Sequence, residues 1–164
     1  RQFYQDGLLE MVTTVLHSTK LDPQWLTLEI TESVAMKNAD NTIQLLRRLK
    51  DMGVKISLDD FGTGYSSLLY LKRFPIDFLK IDRSFVCDIH LNSEGATLVK
   101  TIISLAKNLG HVVVAEGVEI VEQQRLLRDW ECDYMQGYLF SRPLAVDQIG
   151  QYLKANCERK SIYI

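Results

Sequence analysis

The chain has 164 residues, 46% of them hydrophobic and 24% charged, with a formal net charge of −2. That is the makeup of one globular domain with a core of its own and not of a disordered segment. The near-neutral balance provides no field for long nucleic acid or an anionic membrane surface, while a small phosphorylated ligand needs only a few placed cations.

In chain order, Leu8, Val12, Val15 and Leu16 predict a first helical stripe, followed by an aliphatic strand at residues 26–31. Ile43, Leu46, Leu49 and Met52 predict a helix stopped by Gly53, and residues 54–60 a second strand. Residues 66–74 read as a short helix capped by Ser66 and Ser67 and ended by Pro75, before a third strand at 77–82. Leu98, Ile102, Leu105 and Leu109 mark a helix closed by Gly110. Strands at 112–118 and 133–140 then alternate with helices at 121–130 and 146–155. A helix followed by five strand-helix pairs calls for a parallel sheet with right-handed crossovers.

Within the strands, Leu28 and Ile30 alternate with Thr27, Glu29 and Thr31, and Ile56 and Leu58 with Lys55, Ser57 and Asp59. Leu79 and Ile81 alternate with Lys80 and Asp82. An open doubly wound sheet buries both faces of its central strands. One polar face per strand fits instead a (β/α) barrel or partial barrel, in which alternate residues point inward and the C-terminal rim carries the active site.

The polar residues at or near the strand ends are Glu29 with Glu32, Asp59 with Asp60, Lys80 with Asp82, Glu116 with Glu119, and Gln136. Carboxylates gathered on one rim repel unless cations offset them. Oxygen donors without a nearby histidine favour Mg²⁺, Mn²⁺ or Ca²⁺ over zinc, and a pair of such ions would clamp a phosphodiester. Taken singly, Glu29 or Glu116 reads equally as a salt-bridged carboxylate. Asp59 and Asp60 can address one site only if the strand ends between them, a break that Gly62 and Gly64 permit. His17, His90 and His111 read as surface or structural groups, Trp25, Trp130 and Tyr134 as packing residues, and residues 47–50 as a solvated basic face. Cys87, Cys132 and Cys157 have neither C-x-x-C nor zinc spacing, which predicts free thiols in a reducing, cytoplasmic setting. No apolar run or charged leader predicts a membrane span or signal peptide in this stretch.

L-T-L-E-I-T-E-S at 26–33, D-D-F-G-T-G-Y-S-S-L at 59–68, F-L-K-I-D at 78–82, V-A-E-G-V-E at 114–119 and Q-G-Y at 136–138 together resemble the EAL-domain family of bacterial cyclic di-GMP phosphodiesterases. The resemblance implies a (β/α)8 barrel and Mg²⁺- or Mn²⁺-dependent hydrolysis of cyclic di-GMP to linear pGpG. It implies metal ligation by Glu29, by Asp59 as a bridge between two ions and by Asp60, with Asp82 counted in the same set. Lys80 matches the lysine that orients the attacking water and Glu116 an acidic residue close to it, with Glu119 and Gln136 as supporting polar positions. Glu32 matches the glutamate that positions the Asp-Asp-Phe-Gly-Thr-Gly loop.

The family's Glu-Ala-Leu motif does not occur here, and its asparagine ligand lies just ahead of an Arg-Gln-Phe like Arg1-Gln2-Phe3. The chain therefore reads as five βα units of a truncated domain covering 1–164, with three strands and two metal ligands absent. Weak or absent turnover and self-association through open sheet edges are the expectations. A non-catalytic module binding cyclic di-GMP or a protein is the alternative. A glycoside hydrolase using Glu29 and Glu116 is disfavoured, because it leaves the paired aspartates and Lys80 without a role.

Overall fold

The computed structural model describes residues 7–64 and 68–156. Five strands form one sheet in the order of the chain: β1 (Thr27–Thr31), β2 (Lys55–Phe61), β3 (Phe78–Ile81), β4 (Val112–Ala115) and β5 (Tyr134–Met135). The β1–β2 and β4–β5 pairings are parallel, which is the arrangement that intervening helices impose. The chain divides into two compact units, one of residues 1–80 with 109–111 and the other of residues 81–108 with 112–164.

In the first unit, α1 (Leu8–Thr19) buries Val12 and Leu16 but leaves Val15 half exposed. α2 (Glu32–Lys37) follows β1 directly, and α3 (Ala39–Asp51) carries Ile43, Leu46 and Leu49 on its buried face. These side chains are buried together with Ile30, Ile56 and Leu58, the apolar face of β1 and β2. α3 ends as expected at Met52 and Gly53, whose N–H groups bond the Leu49 and Lys50 carbonyls. α4 (Leu68–Arg73) buries Leu71. Residues 65–67 lie outside the described residues, and with them the expected caps Ser66 and Ser67.

Lys50 is not part of a solvated face. Its Nζ donates to Asp77 Oδ1 at 2.5 Å, Lys55 Nζ stands 3.6 Å from the same oxygen, and Asp77 Oδ2 accepts the Ile56 N–H at 2.8 Å. Burial alone would raise the Asp77 carboxyl, but the Lys50 hydrogen bond, the Ile56 N–H and the two lysine charges hold it below its ordinary 3.8. Because the folded value is depressed, its contribution is present above pH 3.8 and is lost as pH falls through the lower folded value. Asp77→Ala is expected to cost about 1–3 kcal/mol at neutral pH. In urea melts from pH 6 to 3, the gap to the parent chain closes toward the acid end. His111 belongs to the same unit: its Nδ1 meets the Ile76 carbonyl at 3.1 Å, and burial holds its pKa below 6.5 against that carbonyl and Asp77.

In the second unit, α5 (Arg83–Val86) precedes α6 (Ser93–Asn108), whose first turn is capped by Asn92 Oδ1 accepting from Glu94 and Gly95. The buried stripe of α6 is Val99, Ile102, Ile103 and Ala106, buried with Val113 and Ala115 of β4, while Leu98 is largely exposed. α7 (Val121–Asp129) and α8 (Val146–Asn156) follow β4 and β5. Both of those strands are shorter than expected, because the chain turns at Gly117 and after Met135 instead of continuing its alternation.

Two packing expectations are overturned: Trp25 is 75% exposed and Tyr134 41%. Trp25 ends a three-residue 3-10 turn that buries none of its side chains, and Tyr134 is the exposed member of a two-residue strand. Cys132 is buried and free, its thiol pushed up to about 12 chiefly by burial and Asp133. Cys87 is free and exposed, and Cys157 lies outside the described residues.

Candidate active site

The first unit assembles five of the nine expected side chains. Parallel register sets Glu29 opposite Ser57 and Thr31 opposite Asp59, so Glu29 and Asp59 stand one step apart on the polar face of β1 and β2. Lys80 of β3 reaches both: its Nζ lies 3.0 Å from Glu29 Oε1 and 3.2 Å from Asp59 Oδ1. The lysine side chain is only 10% exposed. An ammonium so dry is tolerable only because carboxylates compensate it. Glu29 is half exposed, so the drier Asp59 contact carries more of that compensation.

The strand does not end between the two aspartates. β2 runs on through Phe61, and the alternation is broken by Asp60 itself, which has φ 56. A non-glycine residue in that left-handed region costs roughly 1–2 kcal/mol, with Asp among the side chains that tolerate it best. The Asp60 N–H donates to Asp59 Oδ1 at 3.0 Å, and Thr63 closes the turn through its N–H and Oγ1 onto the Asp60 carbonyl. Strain of this kind is retained where the surroundings hold it in place.

Glu32 is one of those surroundings. It is 1% exposed at the start of α2, and its Oε2 accepts the Gly62 N–H at 2.8 Å from thirty residues away in sequence. Its Oε1 has no hydrogen-bond partner among the described residues, and a Cβ on Gly64 would come within 2.7 Å of it. The turn from Phe61 to Gly64 thus lies directly on this carboxylate.

The second unit holds the other four. Asp82 caps α5, its Oδ1 accepting from the Ser84 N–H at 2.9 Å and the Ser84 hydroxyl at 2.5 Å. The hydroxyl bond leads in holding its carboxyl below the ordinary range, against burial and with help from the Ser84 and Arg83 N–H groups. Glu116 follows β4 with its N–H on the Ile81 carbonyl at 3.1 Å. Gln136 follows β5, its N–H on the Ala115 carbonyl at 2.8 Å and its own carbonyl accepting the Val118 N–H at 3.0 Å. It is therefore stitched to both sides of the Glu116-Gly117 turn. Glu119 pairs with Arg83, Nη2 to Oε1 at 2.9 Å.

Arg83 and Gln123 are absent from the expected set. Gln123 is 3% exposed, its Oε1 accepting from the Glu119 and Ile120 N–H groups and its Nε2 donating to the Cys87 carbonyl. A glutamine four residues after Glu119, on the first turn of α7, was the legible signal. Among the described residues, no group of three or more His, Cys, Asp or Glu side chains is arranged to hold a metal ion.

The family model of the EAL domain matches residues 1–143. Over 149 residues the chain is 47% identical to the cyclic di-GMP phosphodiesterase NbdA of Pseudomonas aeruginosa, covering 91% of this chain and 19% of NbdA. Among solved structures, the MucR phosphodiesterase in complex with c-di-GMP has TM-score 0.88 and 47% identity, covering 90% of this chain and 60% of that one. The Klebsiella pneumoniae BlrP1 manganese/cy-diGMP complex has TM-score 0.79 and 34% identity, over 87% of this chain and 36% of that one. The chain thus spans about a fifth of NbdA and three fifths of the MucR chain.

Proposed function

The chain belongs to the EAL domain family, and from that premise we propose that its strand-end carboxylates and Lys80 hydrolyse one phosphodiester of cyclic di-GMP, opening the ring to linear pGpG. The observation that carries this reading is the dry Lys80 ammonium held between Glu29 and Asp59. A surface lysine has no reason to be there, whereas a lysine meeting a phosphodiester and an attacking water does. Supporting the substrate class, two relatives, NbdA and MucR, are named for cyclic di-GMP.

The hard oxygen donors Glu29, Asp59, Asp60 and Asp82 suit a divalent cation, and Mg²⁺ or Mn²⁺ is the proposed choice. A divalent ion held by these residues would supply Lewis acidity toward the phosphodiester and the attacking water. The chain's own residues do the rest. Lys80 offsets developing charge on the phosphate and holds the water by donating to it. Glu116 and Gln136, on a turn that their backbone bonds fix, are assigned supporting polar roles in the reaction, and Glu32 keeps the Asp59-Asp60 turn in its strained shape.

A second reading, binding of cyclic di-GMP without efficient hydrolysis, is favoured by one observation: the described residues alone make no three-ligand metal group. We therefore expect the 164-residue chain by itself to bind cyclic di-GMP and cleave it slowly. Calorimetry in Ca²⁺ followed by a turnover assay in Mn²⁺ tests both readings. Self-association belongs to the same proposal. β1 is an end strand, a cavity of about 330 Å³ opens between α1 and β1, and Val146, Ile149 and Leu153 of α8 are exposed. Light scattering at high concentration is expected to show more than a monomer, and a clean monomer would remove this part. A cytoplasmic setting is supported by the free Cys87 and Cys132. No helix among the described residues is long and apolar enough to cross a membrane.

A further inference from the structure

We propose that Arg83 is a positioning residue for Glu116, holding the turn from Glu116 to Glu119 in one shape through its stem and its guanidinium. This rests on the reading of Glu116 as a residue of the hydrolytic site. The Glu116 N–H bonds the Ile81 carbonyl at 3.1 Å, and the backbone then enters Gly117 at φ 69. That left-handed step leaves the direction of the following residues to be fixed by contacts from outside the strand. Arg83 provides two. Its Cβ, Cγ and Cδ lie so close over Gly117 that a side chain there would overlap all three. Its Nη2 reaches Glu119 Oε1 at 2.9 Å, on the far side of the same turn.

Arg83 is itself held. It is the first residue of α5, and the cap made by Asp82 and Ser84 on either side of it fixes where its Cα stands. The opposite flank of the turn is closed by the Val118 N–H on the Gln136 carbonyl. Glu116 and Gly117 are therefore gripped between the Arg83 stem and the Gln136 backbone. An exposed ion pair alone contributes little, and the Arg83 side chain is 61% exposed. The stem is the part that matters most: a contact on bare glycine backbone survives screening by solvent and salt, and the ion pair to Glu119 sets its direction.

The test uses the whole chain with Arg83→Ala, Arg83→Met and Arg83→Lys. It measures cyclic di-GMP affinity in Ca²⁺, single-turnover cleavage in Mn²⁺ with protein in excess, and amide exchange at Glu116 and Val118. Arg83→Ala is expected to slow cleavage roughly 10-fold with affinity within about 2-fold, and to speed exchange at those two amides by a similar factor. Lysine, which keeps both a stem and a cation, restores cleavage to within about 2-fold, and methionine, which keeps the stem alone, falls between. Unchanged cleavage in Arg83→Ala overturns the proposal. So does a loss that lysine does not rescue, or one matched by an equal loss of affinity, since that is a general structural effect. If the parent chain neither binds nor cleaves cyclic di-GMP, the phosphodiesterase reading fails and takes this role with it. The exchange data then report separately whether the clamp on the turn exists.

Discussion

Lys80→Met is expected to reduce single-turnover cleavage of cyclic di-GMP by at least about 100-fold, the scale of losing a positioned cation and proton-handling group at a reacting phosphate. The geometry predicts more than lost activity. Methionine fills much of the same volume, so the packing of β3 survives, but Glu29 and Asp59 lose the ammonium that lies 3.0 and 3.2 Å from them. Asp59 is the drier of the two carboxylates, so its unpaired charge is the costlier, and the variant is expected to lose about 1–3 kcal/mol in the absence of divalent ions. Adding Mn²⁺ or Ca²⁺ should return part of that loss. The rise in Tm with added ion is expected to be larger in Lys80→Met than in the parent chain, because the ion then takes over the compensation that the lysine provided. Equal shifts in the two proteins would mean that the ion does not meet these carboxylates.

Gly137→Ala is expected to be the most destabilising single methyl addition among the glycines described. A Cβ there would overlap the backbone O, N and C of Val118, and none of these atoms can move aside as a flexible side chain would. The bond from Val118 to the Gln136 carbonyl would have to break or the turn shift, at a cost of about 3 kcal/mol or more. For a chain of this size that is a fall in Tm of roughly 6–12 °C. The same substitution at Gly150, in α8 with nothing near it, is expected to be neutral or to stabilise by about 0.5–1 kcal/mol. A Gly137→Ala protein that melts with the parent would show that the turn carrying Gln136 is not packed against Val118.

Much of this arrangement could be read from residue patterns, because it depends on local periodicity. The alternation of Glu29 with Leu28 and Ile30, and of Asp59 with Leu58, sets the face and register of β1 on β2. The same alternation puts Lys80 on that polar face. What could not be read depends on distant partners or on segments too short to show a period. α2 and α5 have six and four residues, below the length at which a helical stripe can be recognised. The pairing of Lys50 with Asp77 joins residues 27 apart, so a basic stretch that looks solvated is partly drawn into the sheet end. The alternation breaks at Asp60 itself, inside a strand that continues to Phe61, for a related reason. A strained left-handed aspartate is stable only through bonds that the fold supplies, including the one from Gly62 to Glu32. Arg83 acts on Gly117 and Glu119 of another segment, and nothing in its neighbouring residues marks it, whereas Gln123 carries a local signal in its spacing from Glu119 and only its bond to the Cys87 carbonyl depends on the fold.

The most direct test of the account is product analysis after incubating cyclic di-GMP with an excess of the purified 164-residue chain in Mn²⁺, beside Lys80→Met and beside the parent chain in chelator. Slow formation of linear pGpG that depends on the ion and disappears with Lys80 is the predicted result. Product at the same level in all three samples, or in none of them, would contradict the assignment of these residues to cyclic di-GMP hydrolysis.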